Sequence, residues 1–205
     1  MRELVIPANP QTAPQMNVRG AFGGSSKGFK NGTAMFAQEW DEYGATQRSK
    51  TGKPLTGIGS YNRLAIVYRL VNPGGTPPAS PPTADYLGDG FAITAAAQPN
   101  GILFHGGGST AADSVIEIRL AKLPAGNSKP RFNQYKTFAY ATLDAGDGNE
   151  YLANVPPGRY ACAYRFVNKA TGQATELVQL NVLGVTLEIV KGGADEKPQA
   201  RKKAA

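Results

Sequence analysis

The stretch Val155-Pro156-Pro157-Gly158-Arg159-Tyr160-Ala161-Cys162-Ala163-Tyr164-Arg165-Phe166-Val167-Asn168 decides the fold of this chain. Two prolines and a glycine make a turn. The residues after it alternate, so that Tyr160, Cys162, Tyr164 and Phe166 fall on one face of a strand. Lys169 to Gln173 reads as a loop, and Ala174 to Leu183 as the returning strand of a long hairpin.

Working back from this hairpin, further strands are expected at 91–97, 101–105, 114–123, 136–143 and 150–155, with a last one at 185–190. Pro99-Asn100-Gly101, Gly106-Gly107-Gly108, Pro124-Ala125-Gly126-Asn127 and 144–149 mark the loops between them. In 114–123, Ile116, Ile118 and Leu120 alternate with Glu117, Arg119 and Ala121, the pattern of a half-buried strand.

The first third follows a different period. Thr12 stands before Ala13-Pro14, a cap with proline in the first turn. Val18, Phe22, Ser25, Ser26 and Phe29 share one helical stripe, expected to face the chain's own small core. Gly20, Gly23, Gly24 and Gly28 lie in the same helix, and each costs about 1 kcal/mol against alanine. Gly20, Gly24 and Gly28 form a ridge spaced by four, and that smooth ridge is expected to meet another subunit. A second helix is expected from Thr33 to Ala45 with Phe36, Trp40 and Tyr43 in line, and a third from Gly57 to Asn72, ended by Pro73-Gly74-Gly75.

These periods divide the chain into a helical region, 1–75, a proline-rich linker, 76–84, a β region, 85–190, and a basic tail, 191–205, without apolar periodicity. The expected fold class is mainly β with a small α-helical N-terminal region, the β part being an immunoglobulin- or fibronectin type III-like β-sandwich.

Net charge is +7 and the tail holds Lys191, Lys197, Arg201, Lys202 and Lys203, so an acidic surface or nucleic acid is a conceivable partner for it; a solvated tail is the simpler reading. The opening Met-Arg-Glu-Leu-Val-Ile-Pro has no signal-peptide apolar region, and the chain has no run of 18 apolar residues. A soluble chain is expected, without membrane insertion and without a standard secretion signal. Function outside the cell or in a particle would then require another exit route.

Chemistry-bearing patterns are sparse. The lone Cys162 cannot form an intrachain disulfide and reads as a small buried apolar group. His105, before three glycines, has no partner in the sequence for a catalytic pair or a zinc site. Asp144-Ala145-Gly146-Asp147-Gly148-Asn149-Glu150 lacks calcium-loop spacing and reads as a hairpin loop. The 20–28 glycine segment has no Gly-Lys-Ser/Thr order, so it is not a phosphate loop. Tyr61 and Tyr68, beside Arg63 and Arg69, fit a core stripe better than a nucleic-acid face. No enzyme activity, cofactor or metal is expected.

Two resemblances attach to these residues. Val155-Pro156-Pro157-Gly158-Arg159-Tyr160, with Asn168 and Gly172, resembles the corner and final hairpin of fibronectin type III domains, over roughly 84–183. The corner is one residue shorter than usual, and Phe104 stands where a tryptophan is customary. Asn9-Pro10-Gln11-Thr12, Gln15, Arg19, Phe22, Trp40, Thr56-Gly57 and Tyr61-Asn62 resemble small uncharacterised bacterial and phage-like proteins, with Gln11 in place of an arginine. The first implies a building or binding module, and the second a structural or particle-associated role.

The leading expectation is a non-enzymatic structural protein that assembles with other copies of itself, as a subunit of an extracellular fibre or of a virion- or tail-like particle. Gly20, Gly24 and Gly28 are its expected subunit contacts, and Leu4, Val5 and Ile6 are expected to add to a neighbour's sheet edge. The alternative is a monomeric adhesion or carbohydrate-binding module, with Tyr135 and Tyr151 as its aromatic platform.

Overall fold

A computed structural model describes residues 12–49, 51–124 and 130–187. Three helices come first, α1 (Ala13–Lys30), α2 (Ala34–Thr46) and α3 (Gly57–Val71). Seven strands follow: β1 (Ile93–Gln98), β2 (Gly101–Gly106), β3 (Ser114–Leu123), β4 (Lys136–Ala141), β5 (Glu150–Asn154), β6 (Gly158–Asn168) and β7 (Val178–Val185). The helices hold nearly as many residues as the strands, so the chain is mixed α and β rather than mainly β.

Thr33 and Thr56 each accept a hydrogen bond from the backbone N–H three residues on, Phe36 and Gly59, which fixes the starts of α2 and α3. Thr12 stands at the N-cap of α1 without a side-chain bond. Trp40, Tyr61, Leu64 and Ala65 form the helical core, with Phe29, Phe36 and Tyr43 against it. The Trp40 and Tyr61 rings meet edge to face at 5.0 Å.

The glycines of α1 pack differently from expectation. A Cβ on Gly24 would touch the Arg69 guanidinium at 3.4 Å, and one on Gly28 would meet the Tyr61 hydroxyl at 3.0 Å. Both therefore face this chain's own α3, together with buried Ala21 and Ser25, while Phe29 reaches the aromatic core. Val18 and Phe22, expected inside, stay 48% and 53% exposed. Helices that approach closely bury their small residues, and here Ala21, Gly24, Ser25 and Gly28 take the side of α1 toward α3 and leave Phe22 exposed.

The strands form two antiparallel sheets, β1-β2-β5 and β4-β3-β6-β7. They share one core. Ile93, Ile102, Phe104 and Ala153 enter it from the first sheet; Ile116, Ile118, Tyr160, Cys162, Tyr164 and Phe166 enter from the second. Cys162 is fully buried, and burial pushes its thiol up to about 12. At the turn that opens β6, the Tyr160 hydroxyl donates to the Pro156 carbonyl at 2.9 Å.

Three strand readings change. β3 is buried on both faces, because Glu117 and Ala121, on the side away from the shared core, are covered too. The returning strand starts later and runs further: Ala174 makes only an isolated bridge to Val167, and the ladder resumes at Val178 and passes through Gly184 to Val185, opposite Gly158. The cause is local, since the Thr175 hydroxyl accepts from the Phe166 N–H. Residues 188–190 of the expected last strand lie outside the described residues. Finally, the 144–149 loop joins β4 to β5, which belong to different sheets, so it is a crossover rather than a hairpin loop. Its Asp and Gly still act as turn residues: Asp144 accepts from the Gly146 N–H at 2.7 Å, and Gly148 has φ +67°.

The proline-rich segment 76–84 has no regular structure but is held to both parts of the molecule. The Trp40 indole N–H donates to the Ala79 carbonyl at 3.0 Å, and the Gln173 side-chain amide donates to the Ala84 carbonyl at 3.0 Å.

Candidate functional site

The helices and the sheets meet at the β6–β7 loop. Gly172, at φ +76°, lies so close to α3 that a Cβ would overlap the Leu64 carbonyl oxygen. Only glycine allows that approach in that conformation. Beside it, the Asn72 side-chain amide donates to the Lys169 carbonyl at 2.8 Å.

This contact leaves a cleft of about 680 Å³ between α2, α3 and the loop. Leu64, Val67 and Tyr86 line its apolar wall. Tyr43, Arg63, Asp85 and Gln173 supply polar groups. Burial raises the Tyr43 phenol above its ordinary value; the Gln173 side chain bonded to it and the Arg63 cation oppose this, while the Asp85 carboxylate adds to it. Ser60 also lines the cleft. Its hydroxyl is buried and has no hydrogen-bond partner.

Arg165 reaches the same cleft from β6, but it is committed on its other side. The fully buried Glu117 carboxylate accepts from Arg165, from Arg119 Nε at 2.7 Å and from the Thr137 hydroxyl. Burial pushes the Glu117 carboxyl up, yet Arg165, Thr137 and Arg119 outweigh it and hold it below the usual carboxylate range. Tyr140, opposite Glu117 on β4, is pushed up to about 12 by burial, with the carboxylate adding to it.

The residues singled out in the sequence do not converge. Gly24 and Gly28 lie against α3, whereas Gly20 has open space around it. Leu4, Val5 and Ile6 lie outside the described residues, as does the basic tail. His105 is exposed on the outer face of the first sheet, where it pairs with Thr94 on β1 and Glu150 on β5. Tyr135 is buried and Tyr151 packs partly against the core, so they do not form an exposed platform. Among the described residues no group of three or more His, Cys, Asp or Glu is placed to hold a metal ion, and no helix is long and apolar enough to cross a membrane. Sequence reasoning missed the cleft, since its walls come from segments far apart in the chain.

No family model and no curated protein matches this chain. Among solved structures it is similar to that of the fusolin spindles of a Wiseana entomopoxvirus, at 12% identity over 92% of this chain and 77% of that chain. The TM-score of that match is 0.30, too low for the likeness to carry an argument.

Proposed function

We propose that this protein is a non-enzymatic structural subunit that assembles with copies of itself, built on a fibronectin type III-like sandwich with a helical cap. The sandwich reading is supported by the sheet orders β1-β2-β5 and β4-β3-β6-β7 and by the Tyr160–Pro156 corner bond, which matches the tyrosine corner of such sandwiches.

One observation carries the assembly reading: among the described residues β5 ends its sheet and pairs on one side alone, with β2. Its Val155 end donates to the Asn100 carbonyl at 3.1 Å, and the Asn149 carbonyl accepts from the Gly106 N–H at 2.9 Å. Backbone groups alternate sides along a strand, so Glu150, Leu152 and Asn154 turn theirs away from β2. The other sheet's edge at β4 is blunted by a register shift opposite Ile118 and Arg119. β5 is regular, with Leu152 exposed.

A segment such as Leu4-Val5-Ile6 from a neighbour would complete that edge by adding to it as a strand. Light scattering on the full chain and on a chain lacking residues 1–11 tests this. Assembly lost with the segment supports it, and assembly unaffected by the deletion removes strand addition by that segment.

A further inference from the structure

We propose that the cleft between α2, α3 and the β6–β7 loop is a saccharide-binding site in which Ser60, Arg63 and Asp85 bond sugar hydroxyls. This goes beyond the assembly reading and does not depend on it.

The size is right for a small ligand. Clefts that hold one run from about 300 to 1,000 Å³, and this one is about 680 Å³. The Ser60 hydroxyl adds a specific vacancy in the bonding pattern. A buried polar group without a partner is costly and rare in folded proteins. Ser60 is 1% exposed and lines the cleft, and its hydroxyl has no hydrogen-bond partner among the described residues. A ligand hydroxyl would satisfy it either as donor or as acceptor.

The charges at the mouth select among ligands. Arg63 and Asp85 both lie close enough to the Tyr43 phenol to act on it, yet they make no ion pair with each other. Glu176 adds a second carboxylate, and the Arg165 cation is already held by Glu117. A phosphate or other strong anion would meet two carboxylates there. A row of hydroxyls meets donors on Arg63 and acceptors on Asp85, the two kinds of group that neutral polyols require, while Gln173 is held by Ala84 and Thr171 and fixes the wall beside them. Leu64, Val67 and Tyr86 offer an apolar wall to the C–H face of a sugar ring. An extended peptide fits less well, because Ala174, the strand-like residue at the cleft, is already bridged to Val167 and leaves no free strand edge.

The full-length protein is screened against immobilised glycans, and the strongest glycan is titrated into isotope-labelled protein. Binding should shift the amide resonances of Tyr43, Ser60 and Gln173. Arg63→Ala should weaken it by about tenfold or more, as expected for a lost bond from a charged donor. Asp85→Asn should weaken it too, and neither should lower the melting temperature, since both side chains are exposed. No glycan signal above blank overturns the proposal. So does glycan binding that survives the Arg63→Ala, Asp85→Asn double variant, or capture of peptides but not glycans by the same cleft. Particle mass does not enter any of these readouts, so failure here and failure of the assembly reading are separable.

Discussion

Gly172 of the β6–β7 loop rests directly on the Leu64 carbonyl of α3, in a backbone conformation that favours glycine. That contact, with the Asn72–Lys169 hydrogen bond beside it, joins the helical part of the molecule to the sheets and sets one side of the cleft. Gly172→Ala should cost about 1–3 kcal/mol, from a strained φ and a steric overlap together. Urea titration followed through Trp40, whose indole sits in the helical core, should show the loss; an unchanged midpoint would mean that the two parts do not press on each other at this point.

The Tyr160 hydroxyl spans four residues back to Pro156. Tyr160→Phe keeps the ring in the shared core and removes only that bond. A loss of about 1 kcal/mol is expected, read by chemical denaturation, with the near-ultraviolet circular dichroism of the folded state preserved. No loss would mean that the corner is held by the Pro156-Pro157-Gly158 turn alone.

Glycines in α1 should divide into two classes. Gly20→Ala, in open space, should stabilise the chain by about 1 kcal/mol through helix propensity. Gly24→Leu should instead push α1 from Arg69 and α3 and destabilise the helical core. Thermal melts of both variants check the pair, and equal effects would contradict the packing of α1.

Local chemistry was legible where it acts alone. Thr33 announced the start of α2, and the alternation in 114–123 marked β3 to the residue. The side of Tyr160, Cys162, Tyr164 and Phe166 that faces the core followed from period two. What depends on a distant partner was not legible. Gly24 and Gly28 are spaced as an outer ridge would be, and only the positions of Arg69 and Tyr61 turn them inward. Glu117 looks like a solvent-facing charge until Arg119, Arg165 and Thr137 are seen around it. The cleft had no local signal, because Ser60 and Gln173 become neighbours only when the β6–β7 loop docks on α3.

Glu117 gives a pH signature. Its carboxyl is held below the ordinary value of 4.5 in the folded chain, so its contribution is present above that value and is lost as pH falls through the lower folded value. Glu117→Gln should destabilise by about 3–5 kcal/mol at neutral pH, since Arg119 and Arg165 lose their shared carboxylate. The gap from wild type should close in acid below pH 4.5. Denaturation curves at neutral and acid pH measure it; a gap that does not change with pH would contradict the ion-pair account.

The measurement that tests the central claim most directly is the solution mass of the full chain across a wide concentration range, by light scattering, with electron microscopy of the same samples. Self-assembly predicts masses well above the single-chain 21.6 kDa and ordered particles on the grid, both lost when residues 1–11 are removed. A strictly monomeric protein at the highest concentration reached would contradict it.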